Sequence, residues 1–352
     1  MNKNKVILIF SKPRPFIEKD VLMLKKMGVH LIVISSPPKK SIFLFLWFRF
    51  REFFLVLFEI RSTRAIISWF NDYHTFLPFV LAKIAKIPRL ILVGGFDAIA
   101  NKDIRHGLFL NPNLRFYLGR LNYSYATQIW VVHKSLHLGC TRSSIQNGTQ
   151  SGIQHFMPNL KTPIYEVPSG YSPEFWTYVK NKNPNSVLTV GYILDERTYL
   201  IKGIGLFVAL AKLIPHMNFK IIGISAELAS KHRFSDIQNL FHYPPIKHQE
   251  LLSIYQESKF YFQGSMIEGL PNVLCEAMLC GCIPIGRAVF GIPDIIGNTG
   301  HLIEDPKNLD SVAEFITNAD STLGEKARQR IINNFSIKNR MMKFESFLSP
   351  NN

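Results

Sequence analysis

Short apolar runs rich in β-branched residues alternate with longer segments of helical periodicity along almost the whole chain. Val6–Phe10, His30–Ser35, Ala65–Phe70, Leu90–Val93 and Ile129–Val132 read as strands in the first half. Val187–Gly191, Phe219–Gly223, Phe260–Phe262 and Cys282–Ile285 do so in the second. Between them Ile17–Met27, Phe76–Ile87, Gly203–Ile214 and Gln249–Ser258 repeat apolar residues at helical spacing. Such an alternation builds βαβ units, in which parallel sheets are covered by helices and ligands are received at the carboxyl ends of the strands. At 352 residues and 47% hydrophobic content the chain can bury more than one core. Residues 179–186, containing Lys-Asn-Lys-Asn-Pro-Asn-Ser, are polar, breaker-rich and without periodicity, so they read as a linker. The expectation is an α/β protein of two Rossmann-like domains facing a cleft. The first spans 1–178 and the second 187–352, with a last helix that can cross back.

The charge is unevenly divided. Residues 1–177 carry 23 Lys and Arg against 9 Asp and Glu, a balance of +14, whereas 178–352 carry 18 against 16. The first half is therefore expected to meet something anionic. A nucleic acid is not the expected partner, because no basic-aromatic recognition motif accompanies the charge. Four cysteines, Cys140, Cys275, Cys280 and Cys282, are too few for a disulfide framework and form no Cys-x-x-Cys pair. They read as reduced thiols of a cytoplasmic protein, the last three as small buried residues, and no metal site is expected. The first apolar run is too short for a secretory signal.

Ile42–Ile60, IFLFLWFRFREFFLVLFEI, departs from the pattern with seven Phe and one Trp. Arg49, Arg51 and Glu52 at its centre would cost several kcal/mol in a bilayer-spanning helix, so it does not read as a span. One reading is a buried crossover helix with a salt-bridged edge. The favoured reading is a membrane-facing segment, 42–64, that dips aromatic rings into the interface. Lys39, Lys40, Arg49, Arg51, Arg61 and Arg64 would then meet anionic headgroups.

The densest chemistry lies in Gly264–Pro284, GSMIEGLPNVLCEAMLCGCIP, where a strand runs through a glycine-containing loop into a helix. Pro271 suits the first helical turn. Asn272 and Glu276, four apart, share one helix face, and Glu268 stands in the loop before it. Free backbone N–H groups at the helix start favour an anion, while two carboxylates disfavour a bare one. A ligand with hydroxyls at both ends and phosphates between them satisfies both conditions. A nucleotide-sugar has that shape.

Glu268 and Glu276 resemble the E-x7-E element of retaining GT-B glycosyltransferases, most closely glycosyltransferase family 4. Val187–Gly191 with Lys202-Gly203, Phe219–Gly223, Leu251–Gln263, Gly281-x-x-Pro284 and Gly291–Asp294 stand in the order that family shows. Gly94–Asp97 and Val167–Gly170 fit more loosely. The resemblance implies that Glu276 accepts from the ribose hydroxyls and that Glu268 holds donor-sugar hydroxyls. Gly269, Leu270, Pro271 and Asn272 would meet sugar and phosphates, and Lys202 would stabilise the leaving pyrophosphate. It departs in two places. Tyr192 stands where the family has an arginine, leaving Arg197 as the nearest cation. Gly94 stands where it has a histidine, leaving Asp97 as the first-domain catalytic candidate. Lys12, Arg14 and His133 are acceptor-side candidates.

The implied protein is a retaining hexosyltransferase with a nucleotide-sugar donor and a lipid-linked or saccharide acceptor. It would need no cofactor, serve surface polysaccharide or lipopolysaccharide synthesis, and sit peripherally on the cytoplasmic face of the membrane. The alternatives are a catalytically degenerate GT-B binding protein, a nucleic-acid binder and a glycosidase using the two glutamates.

Overall fold

The computed structural model describes residues 4–141 and 148–349. Two compact units emerge. Among the described residues the first comprises 4–140, 148–169 and 338–349, and the second 170–337.

In the first unit, strands β1 (Lys5–Phe10), β2 (His30–Ser35), β3 (Thr63–Trp69), β4 (Arg89–Val93), β6 (Gln128–Val131) and β8 (Ile164–Glu166) form one sheet in the order β2-β1-β3-β4-β6-β8. Its pairings are all parallel. β5 (Ile99–Asn101) and β7 (Thr149–Ser151) make a small antiparallel pair. Val6, Ile7, Leu8 and Ile9 are buried along their whole run, as expected where helices cover both faces of a parallel sheet. The winding reverses at β1, which lies between β2 and β3. Open α/β sheets leave a crevice for ligands outside the carboxyl ends at such a reversal.

Helix α1 (Pro15–Lys26) opens on a proline, whose missing N–H is not needed in the first turn. Helix α2 (Ile42–Glu59) is the crossover from β2 to β3, and it is turned inside out. Only Glu52 and Val56 are buried on it, while Phe43, Trp47 and Phe58 are 82, 60 and 79% exposed. Arg49 Nη2 donates to Glu52 Oε1 at 2.7 Å and to Ser36 Oγ, so this pair faces the body of the unit. Burial pushes the Glu52 carboxyl above its ordinary range, against the pull of the Arg49 charge. The salt-bridged edge and the outward aromatics, weighed above as rivals, thus occupy opposite faces of one helix. Arg49 is an internal cation rather than an outer one, whereas Lys40, Arg51 and Arg61 are exposed. Among the described residues no helix is long and apolar enough to cross a membrane. Helix α3 (Tyr73–Ile84) starts from an Asp72 capping box, and α4 (Leu114–Tyr125) from Asn113, whose side chain accepts from the Phe116 N–H.

The C-terminal helix Ile337–Leu348 belongs to the first unit. Arg340 binds Asp20 through two bonds, Nη2 to Oδ2 at 2.6 Å and Nε to Oδ1 at 2.7 Å. Asp20 Oδ2 also accepts from Trp69 Nε1 at 2.9 Å.

The second unit repeats the architecture with β9 (Asn183–Ile193), β10 (Asn218–Ile224), β11 (Leu240–Tyr243), β12 (Ser258–Gln263), β13 (Ile283–Arg287) and β14 (His301–Ile303). Their order is β11-β10-β9-β12-β13-β14, again all parallel. Two boundaries differ from the sequence expectation. The second unit begins at Gly170, and the second half of the expected linker is strand. Asn183 pairs with Ser258, and Ser186 with Asn218. Neighbouring strands recruit this polar stretch into the ladder, and composition alone could not show them.

Candidate active site

The site of the second unit starts from a glycine. Gly203 has φ +63°, and a Cβ there would lie 2.0 Å from the carbonyl oxygen of Gly264. Only glycine allows the turn after helix Glu196–Ile201 to press against the loop that leaves β12. The Met266 N–H donates to the Ile201 carbonyl at 2.8 Å and fixes that approach. Lys202, at the end of the helix, is thereby held over the same loop, and its ammonium forms an ion pair with Glu268 Oε1. The same oxygen accepts from Ser265 Oγ at 3.0 Å and from Gln263 Nε2 at 3.4 Å. Glu268 is thus gripped by three donors, two of which, Gln263 and Ser265, were not singled out by sequence reasoning. Gln263 ends the strand and Ser265 follows it, so the β12 boundary carried their signal.

The helix Asn272–Leu279 leads away from this loop, and Pro271 sits at its N-cap rather than inside its first turn. Asn272 Oδ1 accepts from Tyr171 Oη at 2.9 Å. One turn later Glu276 is buried, its carboxylate 5% exposed. Glu276 Oε1 accepts from His248 Nε2 at 3.0 Å, while Oε2 is buried with no hydrogen-bond partner. A buried carboxylate oxygen without a donor carries its full desolvation cost, so this orphan oxygen points to a ligand. His248 packs edge-on against Trp176 at 5.2 Å between ring centroids. Sequence reasoning missed His248, because it lies 28 residues from its partner on a different element.

Tyr261 is fully buried on β12, within the electrostatic reach of both glutamates. Burial pushes its phenol well above the ordinary value, and the charges of Glu276 and Glu268 push further in the same direction. Gly269, Leu270 and Pro271 are buried in the connecting loop, and Arg197 is exposed on helix Glu196–Ile201. The structure therefore brings Lys202 together with Glu268, and places Glu276 with Asn272 one turn apart on the next helix.

The first-unit candidates do not form one cluster. Asp97 is fully buried, with Oδ1 accepting from the Gly95 N–H and Oδ2 from the Asn71 N–H, both at 3.1 Å. Burial raises its carboxyl to about 6 against those two bonds. Each oxygen accepts one backbone N–H, so Asp97 organises its own loop. His133 is buried, with Nδ1 2.8 Å from Ser135 Oγ. Arg14 is the exposed residue before α1, and Lys12 is exposed after β1. Among the described residues no group of three His, Cys, Asp or Glu side chains could hold a metal.

Residues 173–335 match the family model of the glycosyl transferases group 1, which covers the whole of this site. No curated protein matches the sequence. Similar solved structures include a sucrose-phosphate synthase from Thermosynechococcus elongatus, with a TM-score of 0.71 at 14% identity, covering 97% of this chain and 98% of that one. A glycosyltransferase from Rickettsia africae gives 0.70 at 13%, with both chains fully covered. Anabaena HepE, solved with UDP, gives 0.64 at 13%, covering 97% and 99%. At these identities the likeness shows the fold, which is GT-B. Residues 173–335, nearly the whole of the second unit, match the group 1 glycosyl transferase domain, and the chain as a whole has the GT-B fold.

Proposed function

We propose that this protein is a retaining glycosyltransferase that moves a sugar from a nucleoside diphosphate donor to a lipid-linked saccharide acceptor. The observation that carries the donor half is the buried, unpartnered Oε2 of Glu276, one helix away from the Lys202–Glu268 pair. A ribose hydroxyl supplies the donor that Oε2 lacks. The pyrophosphate then lies towards Lys202, with exposed Arg197 as a second cation, and Glu268 turns its carboxylate to the sugar hydroxyls. HepE has been solved with UDP, with UDP and glucose, and with UDP-glucose, so uridine nucleotides are the first donors to test.

In a retaining transfer of this kind the departing phosphate oxygen accepts the acceptor proton on the same face of the sugar, so a strong protein base is not required. Lys202 answers the charge that grows on the leaving phosphate. The reading therefore requires no cofactor or metal.

The acceptor half rests on α2. Its exposed Phe43, Trp47 and Phe58 beside exposed Lys40, Arg51 and Arg61 suit an anionic membrane interface. Peripheral attachment to the cytoplasmic face of a membrane, in surface polysaccharide or lipopolysaccharide synthesis, follows from that reading. Incubation with a panel of nucleotide-sugars and membrane lipid extract, with product detected by mass spectrometry and its anomeric configuration by NMR, tests it. An inverted product overturns retention. Nucleotide binding without transfer or donor hydrolysis favours the degenerate binding protein instead.

A further inference from the structure

The first unit holds a cavity of about 280 Å³ outside the carboxyl ends of β1, β2 and β3, where the sheet reverses its winding. Lys12 enters it from the end of β1, Ser36 and Lys39 from the end of β2, Asp72 from the end of β3, Arg49 from α2 and Arg115 from α4. Of these four cations Arg115 is paired with Asp72, to which its Nε donates at 2.7 Å, and Arg49 with Glu52, so Lys12 and Lys39 carry the excess positive charge. Arg49 gives its Nη2 to Ser36 and Glu52, but its Nε is buried without a hydrogen-bond partner. His74, also lining the cavity, is held neutral by burial, with its pKa lowered to about 4, and adds no charge near pH 7. The cavity is built for an anion.

Arg49, at the margin between the buried and the aromatic faces of α2, also lines a second, open groove with Phe43, Leu46, Trp47 and Phe50. Apart from Arg49 and the indole N–H of Trp47, the lining of that groove offers no hydrogen-bonding side chain. An alkyl chain needs none, whereas the amides of a peptide would find few partners there. The two spaces meet at one guanidinium, so a single ligand that fills both is anionic at one end and apolar along the rest.

We infer that the cavity and the α2 groove form one composite site for a phosphate-bearing lipid, with its phosphoryl group among Lys12, Lys39, Arg49 and Arg115 and its chain along Phe43, Leu46, Trp47 and Phe50. The inference deepens the acceptor half of the function proposed above. It rests on that reading for calling the lipid an acceptor, and the binding itself does not depend on it.

Calorimetry of the full chain with three soluble probes tests the site: decyl phosphate below its micelle concentration, decyl maltoside and inorganic phosphate. Decyl phosphate is expected to bind at least about tenfold more tightly than either half-probe, because charge-assisted bonds and apolar burial act together. Replacing Lys12 and Lys39 by Gln, both at the cavity rim, is expected to cost decyl phosphate about tenfold and leave decyl maltoside unchanged. Trp47→Ser with Phe50→Ser is expected to remove the gain from the chain. Inorganic phosphate binding as tightly as decyl phosphate would make this a site for a soluble phosphate and overturn the lipid assignment. Decyl maltoside binding as tightly, or no loss in the lysine variant, overturns the anion site. UDP titrated into the same samples separates the two readings. UDP binding without decyl phosphate binding sinks only this inference, and the reverse outcome sinks only the donor site.

Discussion

Glu276 lends one carboxylate oxygen to His248 at 3.0 Å and keeps the other buried without a donor. His248 orients the carboxylate by its first oxygen, and in the proposed function the second receives a ribose hydroxyl. Glu276→Ala is therefore expected to weaken UDP binding by about 1.5–3 kcal/mol, the scale of hydrogen bonds to a charged group. His248→Ala, which removes the orienting bond but leaves the Glu276 carboxylate itself in place, is expected to cost less. Calorimetry measures both, and unchanged affinity in the Glu276 variant removes the ribose assignment.

Lys202 and Glu268 are ion-paired across the Gly203–Gly264 contact. Lys202→Met is expected to lower kcat by at least about tenfold while leaving uridine binding within about twofold, since the ammonium meets charge that develops on the leaving phosphate. Steady-state kinetics beside nucleoside titration decides it. Equal losses in both would place the lysine in ground-state binding.

Phe43, Trp47 and Phe58 are the most exposed aromatic side chains of α2. Their joint replacement by Ser is expected to abolish co-sedimentation with vesicles containing anionic phosphatidylglycerol at low salt. UDP affinity should stay as it was, because Glu268 and Glu276 lie in the other unit. High salt should release much of the wild-type protein by screening Lys40, Arg51 and Arg61. If the wild type ignores such vesicles, α2 is only a crossover helix.

Two buried groups of the first unit pull stability in opposite directions with pH. Burial lowers His74 from 6.5 to about 4, so the unfolded chain binds the proton first and stability falls as pH drops from 6.5 to 4. Burial raises Asp97 from 3.8 to about 6, so the folded chain binds the proton first and stability falls as pH rises from 4 to 6. Each contributes about 3 kcal/mol across its window, and in the wild type the slopes nearly cancel between pH 4 and 6. Asp97→Asn should leave stability rising with pH over this range, and His74→Asn should leave it falling. Urea denaturation at a series of pH values reads the slopes, and two variants with the same slope contradict the pairing.

Arg340 and Asp20 are each 2% exposed and joined by two bonds. Arg340→Met strands a buried carboxylate whose other donor is Trp69 Nε1. It is expected to cost about 3–5 kcal/mol in chemical denaturation. Recovery in the double variant with Asp20→Asn would show that the unpaired charge, rather than lost packing, carries the cost.

The alternation of apolar runs was enough to determine two parallel-sheet units, because strands buried on both faces must be apolar throughout and their crossovers must be helical. The local spacing of Glu268, Asn272 and Glu276 likewise determined which carboxylates share a loop and a helix, since helical geometry fixes neighbours four residues apart. Tertiary structure decided what each carboxylate meets. Lys202 reaches Glu268 across 66 residues, and His248 reaches Glu276 across 28. Arg340 reaches Asp20 across 320, which assigns the last helix to the first unit. The same holds for Asp97, whose loop consumes both oxygens, and for α2, where a buried Arg49–Glu52 pair turns the aromatic face outward. Periodicity and short spacing are local properties of a chain, so they are written in it directly. The partner of a buried charge is selected by where distant elements pack, and only the folded chain brings those elements within hydrogen-bond reach.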